Sequence, residues 1–410
     1  MKPVTAVVLG AGSRGTTYAG YAKDHPEELK IIAIAEPRRE RLDQLADELN
    51  LPADCRFESW QDLLSLPRMA DCAFVCTLDD DHTAPALKAM ELGYHLLLEK
   101  PMSNTEDECI AIAEAARRTE RTLAVCHVLR YTPFYMTIKA LLDKGAVGEV
   151  TTINQTENVG YWHQAHSFVR GNWRSTKETS PMILQKSCHD MDIILWLMGR
   201  NCKRVHSFGS LKHFTPENAP EGAPDRCLSG CPHADTCPYY APKLYMDMER
   251  TGWPVDVITT DLSLEGRRKA LEEGPYGRCV YHCDNDVVDR QTVNLEFEGG
   301  AVATFTMTGL SADFCRQLKI FGTQGQIEAN MGTQSIVLHR FGEEKQTIPL
   351  DMGNEASGHG GGDYGIMLDF LQVLRSGGES RTSAEVSLQS HLICFAAERS
   401  RRENIVVEFS

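Results

Sequence analysis

Short apolar runs alternate with helix-like segments over the first third of the chain. Apolar runs at 4–10, 29–35, 73–77, 95–98 and 122–127 predict strands, and helical periodicity predicts helices at 13–23, 38–49, 83–92 and 105–119. Strands that are apolar on both faces and alternate with helices are typical of a doubly wound parallel sheet. We therefore predict an α/β domain of this type over residues 1–128.

A second pattern begins after this domain. A predicted helix at 133–144 leads into strands in which apolar and polar residues alternate, at 149–157, 292–297, 301–308, 316–321, 326–329 and 335–340. Alternation with a period of two indicates one buried and one solvated face, so these strands predict a large, open-faced, mostly antiparallel sheet. Helices predicted at 190–198, 363–376 and 384–402 complete an α+β domain over residues 129–410.

Residues 212–283 interrupt the second pattern with many proline, glycine and cysteine residues. A stretch of this length without clear periodicity is uncommon inside a compact domain. We expect this insert to be either functional or held together by something other than an apolar core.

A glycine-rich turn, Gly10-Ala11-Gly12-Ser13-Arg14-Gly15, joins the first predicted strand to the first predicted helix. Glycines at this spacing allow a tight turn, close approach of the backbone to a pyrophosphate, and close packing of helix on strand. The helix N-terminus adds N–H groups for the phosphates. The pattern predicts a Rossmann dinucleotide site with cofactor contacts from Gly10, Gly12, Ser13, Arg14 and Gly15. The alternative is a tight turn in an α/β domain that binds no nucleotide.

The residue at the end of the second strand bears on which dinucleotide binds. Glu36 lies about twenty residues after the glycines, where a carboxylate binds the ribose hydroxyls and repels a 2′-phosphate. NAD is therefore favoured over NADP. Arg38 and Arg39 weaken this preference because a nearby arginine can receive a 2′-phosphate, and we count Arg39 among the predicted cofactor contacts.

Charge and composition argue against several classes of protein function. A formal net charge of -15 argues against a nucleic-acid partner, which requires clustered Lys and Arg. The sequence has no apolar run long enough to span a membrane, and residues 1–5 do not resemble a signal peptide. We expect a cytoplasmic protein whose 14 cysteines are reduced thiols.

Two further segments, together with the glycine turn, resemble a known family. Glu99-Lys100-Pro101 follows the fourth predicted strand, and Cys188-His189-Asp190-Met191-Asp192 opens a helix of the second domain. With His127-Val128-Leu129-Arg130-Tyr131 and Ser390-His391, these segments resemble the glucose–fructose oxidoreductase and inositol dehydrogenase family (Gfo/Idh/MocA) over essentially the whole chain.

The resemblance implies an NAD-dependent oxidoreductase with a carbohydrate-like substrate between the nicotinamide and the open sheet. It implies that Lys100 contacts both the substrate hydroxyl and the cofactor, and that His189 is the general base. An imidazole suits removal of a hydroxyl proton at neutral pH, and an ammonium stabilises developing alkoxide charge. The predicted cofactor contacts are completed by Thr77, Leu78, His82, Glu99 and Arg130.

The sequence departs from the family pattern just before the histidine. Many members carry an aspartate where this chain has Gln185, and Lys186 follows. Lys186 is interpreted as a third catalytic residue that binds a substrate hydroxyl, lowers the pKa of His189, or acts as the base itself. The alternatives are a solvated lysine at the helix start and a capping or core histidine at 189. We expect Gln185 and Asp192 to bind substrate, with orientation of the imidazole or capping of a neighbour as other roles for Asp192.

Aromatic and basic residues are mixed in the segment from 157 to 174. Aromatic rings stack on sugar faces, and His and Arg side chains bind sugar hydroxyls. This composition predicts substrate contacts from Tyr161, His163, His166, Arg170 and Trp173. The alternative is that the tryptophans are core residues and the rest is a solvated loop.

Cysteines concentrate in the insert. Cys227, Cys231, Cys237 and Cys279 are predicted to bind a structural zinc ion, since four thiolates form closed tetrahedral sites. Free thiols and an iron–sulfur cluster are the alternatives. Cys283 competes with Cys279 as the fourth ligand, and His233 and His282 are substitutes.

Three functions follow from these features. The first is an NAD-dependent dehydrogenase of a ring hydroxyl on a sugar, glycoside or cyclitol. The second is a glycoside-cleaving enzyme that uses bound NAD in a cycle of transient oxidation, elimination and re-reduction. The third is a dinucleotide-binding regulator without catalysis. A homodimer or homotetramer is expected, because the open face of the sheet needs a cover.

Overall fold

The computed structural model describes residues 2–351 and 358–409. Its first sheet has six strands, β1 Val4–Leu9, β2 Leu29–Ala35, β3 Arg56–Phe57, β4 Cys72–Val75, β5 His95–Leu98 and β6 Leu123–Val125. They lie in the order β3-β2-β1-β4-β5-β6, and every pairing is parallel. The helices between them are α1 Ser13–Asp24, α2 Arg39–Glu48, α3 Trp60–Leu64, α4 Thr83–Glu91 and α5 Glu106–Thr119. This confirms the predicted doubly wound parallel sheet.

The second sheet has nine strands, three more than the sequence pattern predicted. They are β7 Val150–Asn158, β8 Cys202–Ser210, β9 Arg290–Phe297, β10 Val302–Thr308, β11 Cys315–Gly322, β12 Gly325–Asn330, β13 Ser335–Arg340, β14 Gln346–Ile348 and β15 Val407–Glu408. Their order is β14-β13-β12-β11-β7-β10-β9-β8-β15. Among the strands of the described residues, only β7 and β10 pair in parallel in this sheet, so the prediction of a mostly antiparallel sheet is confirmed.

The remaining helices lie in the chain after β6. They are α6 Pro133–Asp143, α7 Tyr161–His163, α8 Met182–Gln185, α9 Cys188–Met198, α10 Ala241–Tyr245, α11 Val255–Ile258, α12 Leu264–Glu273, α13 Gly362–Ser376 and α14 Ala384–Glu403. The α7 helix continues as a wider π-helical segment over Gln164–Arg170. Apolar residues of α9 and α14 share one core with the inward side chains of β7 to β13.

The insert has more internal packing than its composition suggested. Its helices α10 to α12 surround a small apolar cluster that includes Ala241, Tyr245 and Leu271. A second cluster joins Phe214 and Val280 to the π-helical segment. Each cluster is far smaller than the main cores, so the prediction of an insert without a large core of its own stands.

The C-terminal part of the chain returns to the first domain. Helix α13 places Ile366, Met367 and Phe370 in the same core as β1 and α1. The backbone N–H of Val125 donates to the carbonyl of Thr382, 2.8 Å away. The core of the first domain is therefore completed by α13, a helix that the sequence prediction assigned to the second domain.

One face of the nine-stranded sheet stays outside the core. On β10, Ala303, Phe305 and Met307 are buried, whereas Val302 and Thr304 are exposed. Phe208 on β8 is 57% exposed. No helix among the described residues is long and apolar enough to cross a membrane.

Candidate active site

The glycine turn has the geometry of a phosphate cradle. Gly10 has a φ of +97°, and a Cβ there would lie 2.5 Å from the carbonyl oxygen of Cys76. A Cβ at Gly15 would lie 1.9 Å from the carbonyl oxygen of Gly10, so helix and strand pack too closely for any side chain. At Gly12 the nearest atom would be 3.8 Å away. A Cβ at Gly12 would therefore not clash with the protein. A glycine at this position is instead explained by a ligand that approaches the backbone closely.

The first turn of α1 suits an anion. Gly12 precedes the helix without a capping side chain, and the first turn, which starts at Ser13, has no acidic residue. Its N–H groups are therefore free of side-chain competitors, and the positive end of the helix dipole favours a phosphate. The residues in place fit a dinucleotide pyrophosphate.

Glu36 lies at the end of β2, as predicted, and is 3% exposed. Its carboxylate accepts hydrogen bonds from the backbone N–H of Ala11 at 2.8 Å and from Arg38. Arg39 points to Asp43 instead, at 2.7 Å. Nη1 of the half-buried Arg41, which the sequence reasoning missed, would lie 3.8 Å from a Cβ built on Gly12.

Three predicted contacts follow β4. Leu78 is 48% exposed, which is unusual for a large apolar side chain. A ring of the bound dinucleotide would cover it. Thr77 donates from Oγ1 to the carbonyl of Asp81 at 2.7 Å. His82 is buried, with ring nitrogens 2.7 Å from the carbonyl oxygen of Pro101 and 3.2 Å from that of Thr77. Its imidazole bridges two loops, which makes it a support of the site rather than a surface open to a cofactor.

Glu99 and Arg14 form an internal network in the first domain. Arg14 donates from Nε to Glu99 at 2.7 Å and from its terminal nitrogens to Asp363 on α13. Burial opposes ionisation of Glu99, but Arg14 and Lys100 hold its pKa below the usual value. Arg14 and Glu99 were predicted to contact the cofactor, and in this structure their charged atoms bind other residues of the protein.

Lys100 connects the two domains. It follows β5 and donates from Nζ to the carbonyl oxygen of Gln185, at the end of α8, over 2.7 Å. The adjoining carboxylate of Glu99 accepts the backbone N–H of Lys100 at 2.9 Å. The ammonium of Lys100 is thus held by the carbonyl of a residue that precedes Lys186 by one position and His189 by four. Gln185 contributes its backbone to the site, whereas the sequence predicted its side chain.

His189 is in the first turn of α9 and is 6% exposed. Its Nδ1 has no hydrogen-bond partner among the described residues. Burial lowers the pKa of His189 well below its ordinary value, and Lys100 and His127 lower it further. The imidazole is therefore neutral at pH 7, the form in which it can accept a proton. The charged groups with the largest effects on this pKa are Lys100, His127, Arg316 and His359, and Lys186, predicted to cause such a shift, is not one of them.

Lys186 is held by a buried network, so the alternative of a solvated lysine is wrong. Its side chain is 15% exposed, and Nζ lies 3.3 Å from Glu157 on β7. Burial lowers the pKa of Lys186, and Arg316 and Lys100 lower it further, while Glu157 opposes the shift. The lysine is thereby moved towards the neutral form that acts as a base.

Glu157 and its partners were missed by the sequence reasoning. Arg316 on β11 is directly opposite Glu157 in the sheet, with Nε 2.9 Å from the carboxylate. The same guanidinium binds Asp190 at 2.9 Å, and Gln155 donates to Asp190 at 2.6 Å. The alternation of β7 and β11 was a usable signal, because it places these polar side chains on the buried face.

Arg130 and Asp192 bind each other. Arg130 donates to both carboxylate oxygens of Asp192 at 2.7 Å, and both side chains are nearly inaccessible to solvent. Arg130 and Asp192 were predicted to contact cofactor and substrate, and their charged groups are paired with each other in this structure. Their pairing instead joins the segment after β6 to α9.

The segment from 161 to 173 is divided between the site and the insert. His163 is within electrostatic range of Lys186 and packs edge-on against Trp253 and Phe314. Trp173 donates from Nε1 towards Asp79 at 3.4 Å, on the Lys100 side of the cleft. The structure brings these two predicted residues to the cleft.

His166 and Arg170 turn away from it. His166 is 2.8 Å from the Tyr245 hydroxyl, stacks on Tyr276, and has its pKa lowered to about 3 by burial. Arg170 binds backbone carbonyls of the insert. The prediction that they line the substrate pocket is wrong, because the helical path of 161–170 points these positions at the insert. Tyr161 is between the two regions and contacts Tyr239 of the insert.

The cysteines predicted to bind metal, Cys227, Cys231, Cys237 and Cys279, line one cavity in the insert together with Arg170. Cys283 does not line it and donates from Sγ to the carbonyl of Cys279 at 3.2 Å. The choice of Cys279 over Cys283 matches this placement.

Comparison with known proteins agrees with this arrangement. Residues 4–127 match the NAD-binding Rossmann-fold domain of the Gfo/Idh/MocA oxidoreductase family, and residues 139–409 match that family's C-terminal alpha/beta domain. The chain is a member of the Gfo/Idh/MocA oxidoreductase family. It is an NAD-binding oxidoreductase, which confirms the resemblance seen in the Glu99-Lys100-Pro101 and His189 segments.

Among its curated relatives, the oxidoreductase YteT of Bacillus subtilis is 27% identical over 316 residues, 73% of this chain and 72% of YteT. The 2,7-anhydro-N-acetylneuraminate hydratase of Escherichia coli is 26% identical over 51% of this chain and 54% of its own length.

Solved structures share the fold at low identity. The WlbA dehydrogenase of Chromobacterium violaceum, in complex with NADH and UDP-GlcNAcA, has a TM-score of 0.71 at 17% identity and covers 100% of this chain and 97% of its own. The aldose-aldose oxidoreductase of Caulobacter crescentus, complexed with glycerol, has a TM-score of 0.70 at 15% identity over 100% of both chains.

Proposed function

We propose that this family member oxidises or reduces a ring hydroxyl of a sugar, glycoside or cyclitol with NAD. One observation carries the proposal. Lys100 leaves the Rossmann sheet and binds the carbonyl of Gln185, next to Lys186 and close to His189. The cofactor-binding half and the proton-accepting half of the reaction thus meet in one cleft.

NAD, when bound, supplies the hydride acceptor or donor. The residues of the chain handle the hydroxyl. The neutral imidazole of His189 accepts the hydroxyl proton, and the Lys100 ammonium stabilises the negative charge that develops on the oxygen. Carbohydrate-like substrates of the relatives, such as the UDP-GlcNAcA bound by WlbA, support this substrate class.

NAD rather than NADP is proposed on the basis of Glu36. Its buried carboxylate is fixed by the Ala11 N–H at the edge of the phosphate cradle. A 2′-phosphate brought to this position would face a carboxylate held in place, which costs several kcal/mol. Arg38 donates to the same carboxylate and is thereby drawn away from a 2′-phosphate.

A second candidate function is favoured by Lys186. Oxidation of an alcohol needs one proton acceptor, whereas this cleft has two groups suited to the task. A cycle in which the ring carbon is oxidised, the neighbouring C–H is deprotonated, an aglycone leaves and the carbon is reduced again needs the additional base. Lys186, with a pKa lowered by burial, supplies it. One of the relatives is a hydratase, a type of enzyme that adds water without net redox change, and this supports the second candidate.

The test is to incubate the purified enzyme and NAD with a panel of sugars, nitrophenyl glycosides and cyclitols. Reduced nicotinamide that accumulates in proportion to product supports the dehydrogenase. Release of nitrophenol without accumulated NADH supports the cleavage cycle. A protein that binds NAD but changes none of the panel would support the third function, a regulator.

The assembly and location are also proposals. A homodimer or homotetramer would cover the exposed face of the nine-stranded sheet, including Phe208 and Val302. None of the 14 cysteines forms a disulfide, which fits the reducing cytoplasm. Light scattering of the purified protein distinguishes an oligomer from a monomer.

A further inference from the structure

Three cysteines of one short loop, Cys227, Cys231 and Cys237, line one small cavity together with Cys279, which lies about forty residues further along the chain. The backbone brings them together. Cys227 donates its N–H to the carbonyl of Gly277 at 2.9 Å, and Cys279 donates to that of Asp225 at 2.8 Å. This local β-bridge fixes the first and last cysteine side by side, and the loop between them carries Cys231 and Cys237.

Main-chain N–H groups around the cavity donate to its sulfurs. The backbone N–H of Ala241 donates to Sγ of Cys227 at 3.4 Å. Backbone N–H groups of Tyr239 and Tyr281 donate to Cys237 and Cys279. Three of the four sulfurs therefore accept a main-chain hydrogen bond, the kind of contact that surrounds the cysteine ligands of metal clusters.

Arg170 argues against free, neutral thiols. Its side chain is 1% exposed and contacts the carbonyls of Arg278 and Tyr239 and, at 3.7 Å, the sulfur of Cys227. Within residues 2–351 and 358–409 no carboxylate forms an ion pair with it. A buried cation without a counter-charge is strongly destabilising. Thiolates in the cavity provide that charge.

The positions of the sulfurs argue against a single zinc ion. Tetrahedral zinc with Zn–S bonds of about 2.3 Å requires sulfurs roughly 3.8 Å apart. Across the described parts of the chain, the only group of three or more metal-ligating side chains whose donor atoms all lie within 4.8 Å is His25, Glu27 and Glu28. No three of the cavity's sulfurs are that close, so they are spaced more widely than the ligands of one tetrahedral zinc ion.

We propose that Cys227, Cys231, Cys237 and Cys279 bind an iron–sulfur cluster. Four cysteine thiolates are the usual ligands of such clusters, and they bind several iron atoms around a core of inorganic sulfide, which spreads the ligands. Cys237 is followed by proline, as is Cys231, which stiffens both ligand loops. The thiolates outweigh the positive charge of the core, so the cluster is the counter-ion of Arg170.

The cluster orders the wall of the candidate active site. The insert has only small apolar clusters, yet it carries Trp253, which packs against His163 and His166. Arg170 extends from the same helical segment as His163 to the cysteine cavity. Binding of the cluster therefore fixes the helical segment that leads from the insert to the cleft.

The direct test is chemical analysis of the full-length protein purified without oxygen, or reconstituted with ferrous iron and sulfide. We expect about two or four iron atoms per chain with an equal amount of acid-labile sulfide, and a broad visible absorbance that bleaches with dithionite. About one zinc per chain without sulfide would overturn the proposal. So would four thiols that react freely with a thiol reagent and no bound metal.

Variants identify the ligands. Cys231→Ser and Cys279→Ser should lose most of the iron and sulfide, whereas Cys283→Ser and Cys315→Ser, which change cysteines outside the cavity, should retain both. NAD binding by each variant shows that the Rossmann domain is folded. Equal iron content in all four variants would contradict the ligand assignment. These measurements do not depend on enzymatic activity, so they are independent of the proposed function.

Discussion

Each side of the cleft has buried carboxylates paired with cations, but the pKa values of the carboxylates are shifted in opposite directions on the two sides. On the Rossmann side, Glu99 and Asp363 share Arg14, and the pKa of each carboxylate is lowered, since neighbouring cations outweigh burial. On the second side, burial raises the pKa of Glu157 although Arg316 and Lys186 oppose the shift, and it lowers the pKa of Lys186.

We infer from this difference that the Rossmann side provides fixed electrostatic contacts, whereas the second side exchanges protons. Carboxylates held ionised keep the first network fixed, so its lysine, Lys100, is a permanent electrostatic contact. A buried acid and a buried base whose charged forms are both disfavoured can exchange protons at little cost. The predictions below test this contrast, from the largest expected effect to the smallest.

Replacement of the reacting group should have the largest effect. His189→Asn removes the proton acceptor but retains a polar side chain of similar size, and we expect kcat to fall by about 10²–10⁴-fold. NAD affinity, measured by fluorescence titration, should hardly change. His206→Asn, on the open sheet face, is the matched control. A kcat within threefold or so of wild type would show that another group accepts the proton.

Removal of the electrostatic contact should have a slightly smaller effect. Lys100→Met takes away the ammonium at the developing oxyanion, and kcat should fall by about 10²–10³-fold. Lys100→Arg should recover part of the loss, because it restores the charge. Lys30→Met, an exposed lysine on β2, is the control. If the methionine variant raised only KM, Lys100 would be a binding contact and not a transition-state contact.

Lys186→Met distinguishes the two candidate functions. If Lys186 removes a proton from carbon, cleavage of a nitrophenyl glycoside should fall by about 10²-fold or more, while oxidation of the free sugar changes much less. Lys186→Arg keeps the ion pair with Glu157 but cannot act as a base. Equal losses in both reactions would show that Lys186 only positions the site.

The cofactor prediction concerns Glu36. Glu36→Gln removes the charge that opposes a 2′-phosphate, so the ratio of kcat/KM for NAD to that for NADP should fall by about tenfold or more. The wild-type ratio provides the comparison. An unchanged ratio would mean that a residue other than Glu36 selects the cofactor.

The pH profile should carry the signature of the buried histidine. His189 is active when neutral, and burial lowers its pKa, so the neutral form persists below the ordinary value of about 6.5. Activity should therefore be flat at neutral pH, and kcat/KM should fall only well below the ordinary pKa of an imidazole. An acidic limb above about pH 7 would contradict the assignment.

Local patterns were sufficient to predict the Rossmann half. Gly10, Gly12, Gly15 and Glu36 lie within one βαβ unit, where sequence spacing fixes spatial position. Lys100 and His189 followed from a family resemblance and meet across the domain boundary as expected. The apolar strands also predicted the parallel sheet, because burial on both faces leaves a continuous signal.

The second half depends on contacts that spacing does not encode. Glu157 meets Arg316 because β7 pairs with β11, and that register is visible only in the folded sheet. Arg130 and Asp192 were assigned to ligands, but two charges nearly buried together stabilise each other instead. His166 and Arg170 were misplaced because a helical segment with a wide π turn directs them towards the insert.

The most direct test of the central claim is the appearance of reduced nicotinamide at the start of the reaction. Wild-type enzyme mixed rapidly with NAD and the carbohydrate panel should form reduced nicotinamide with at least one member, either lastingly or as a transient. His189→Asn, with NAD bound, should form far less with the same compound. No reduced nicotinamide with any compound, or equal amounts in the variant, would contradict the account.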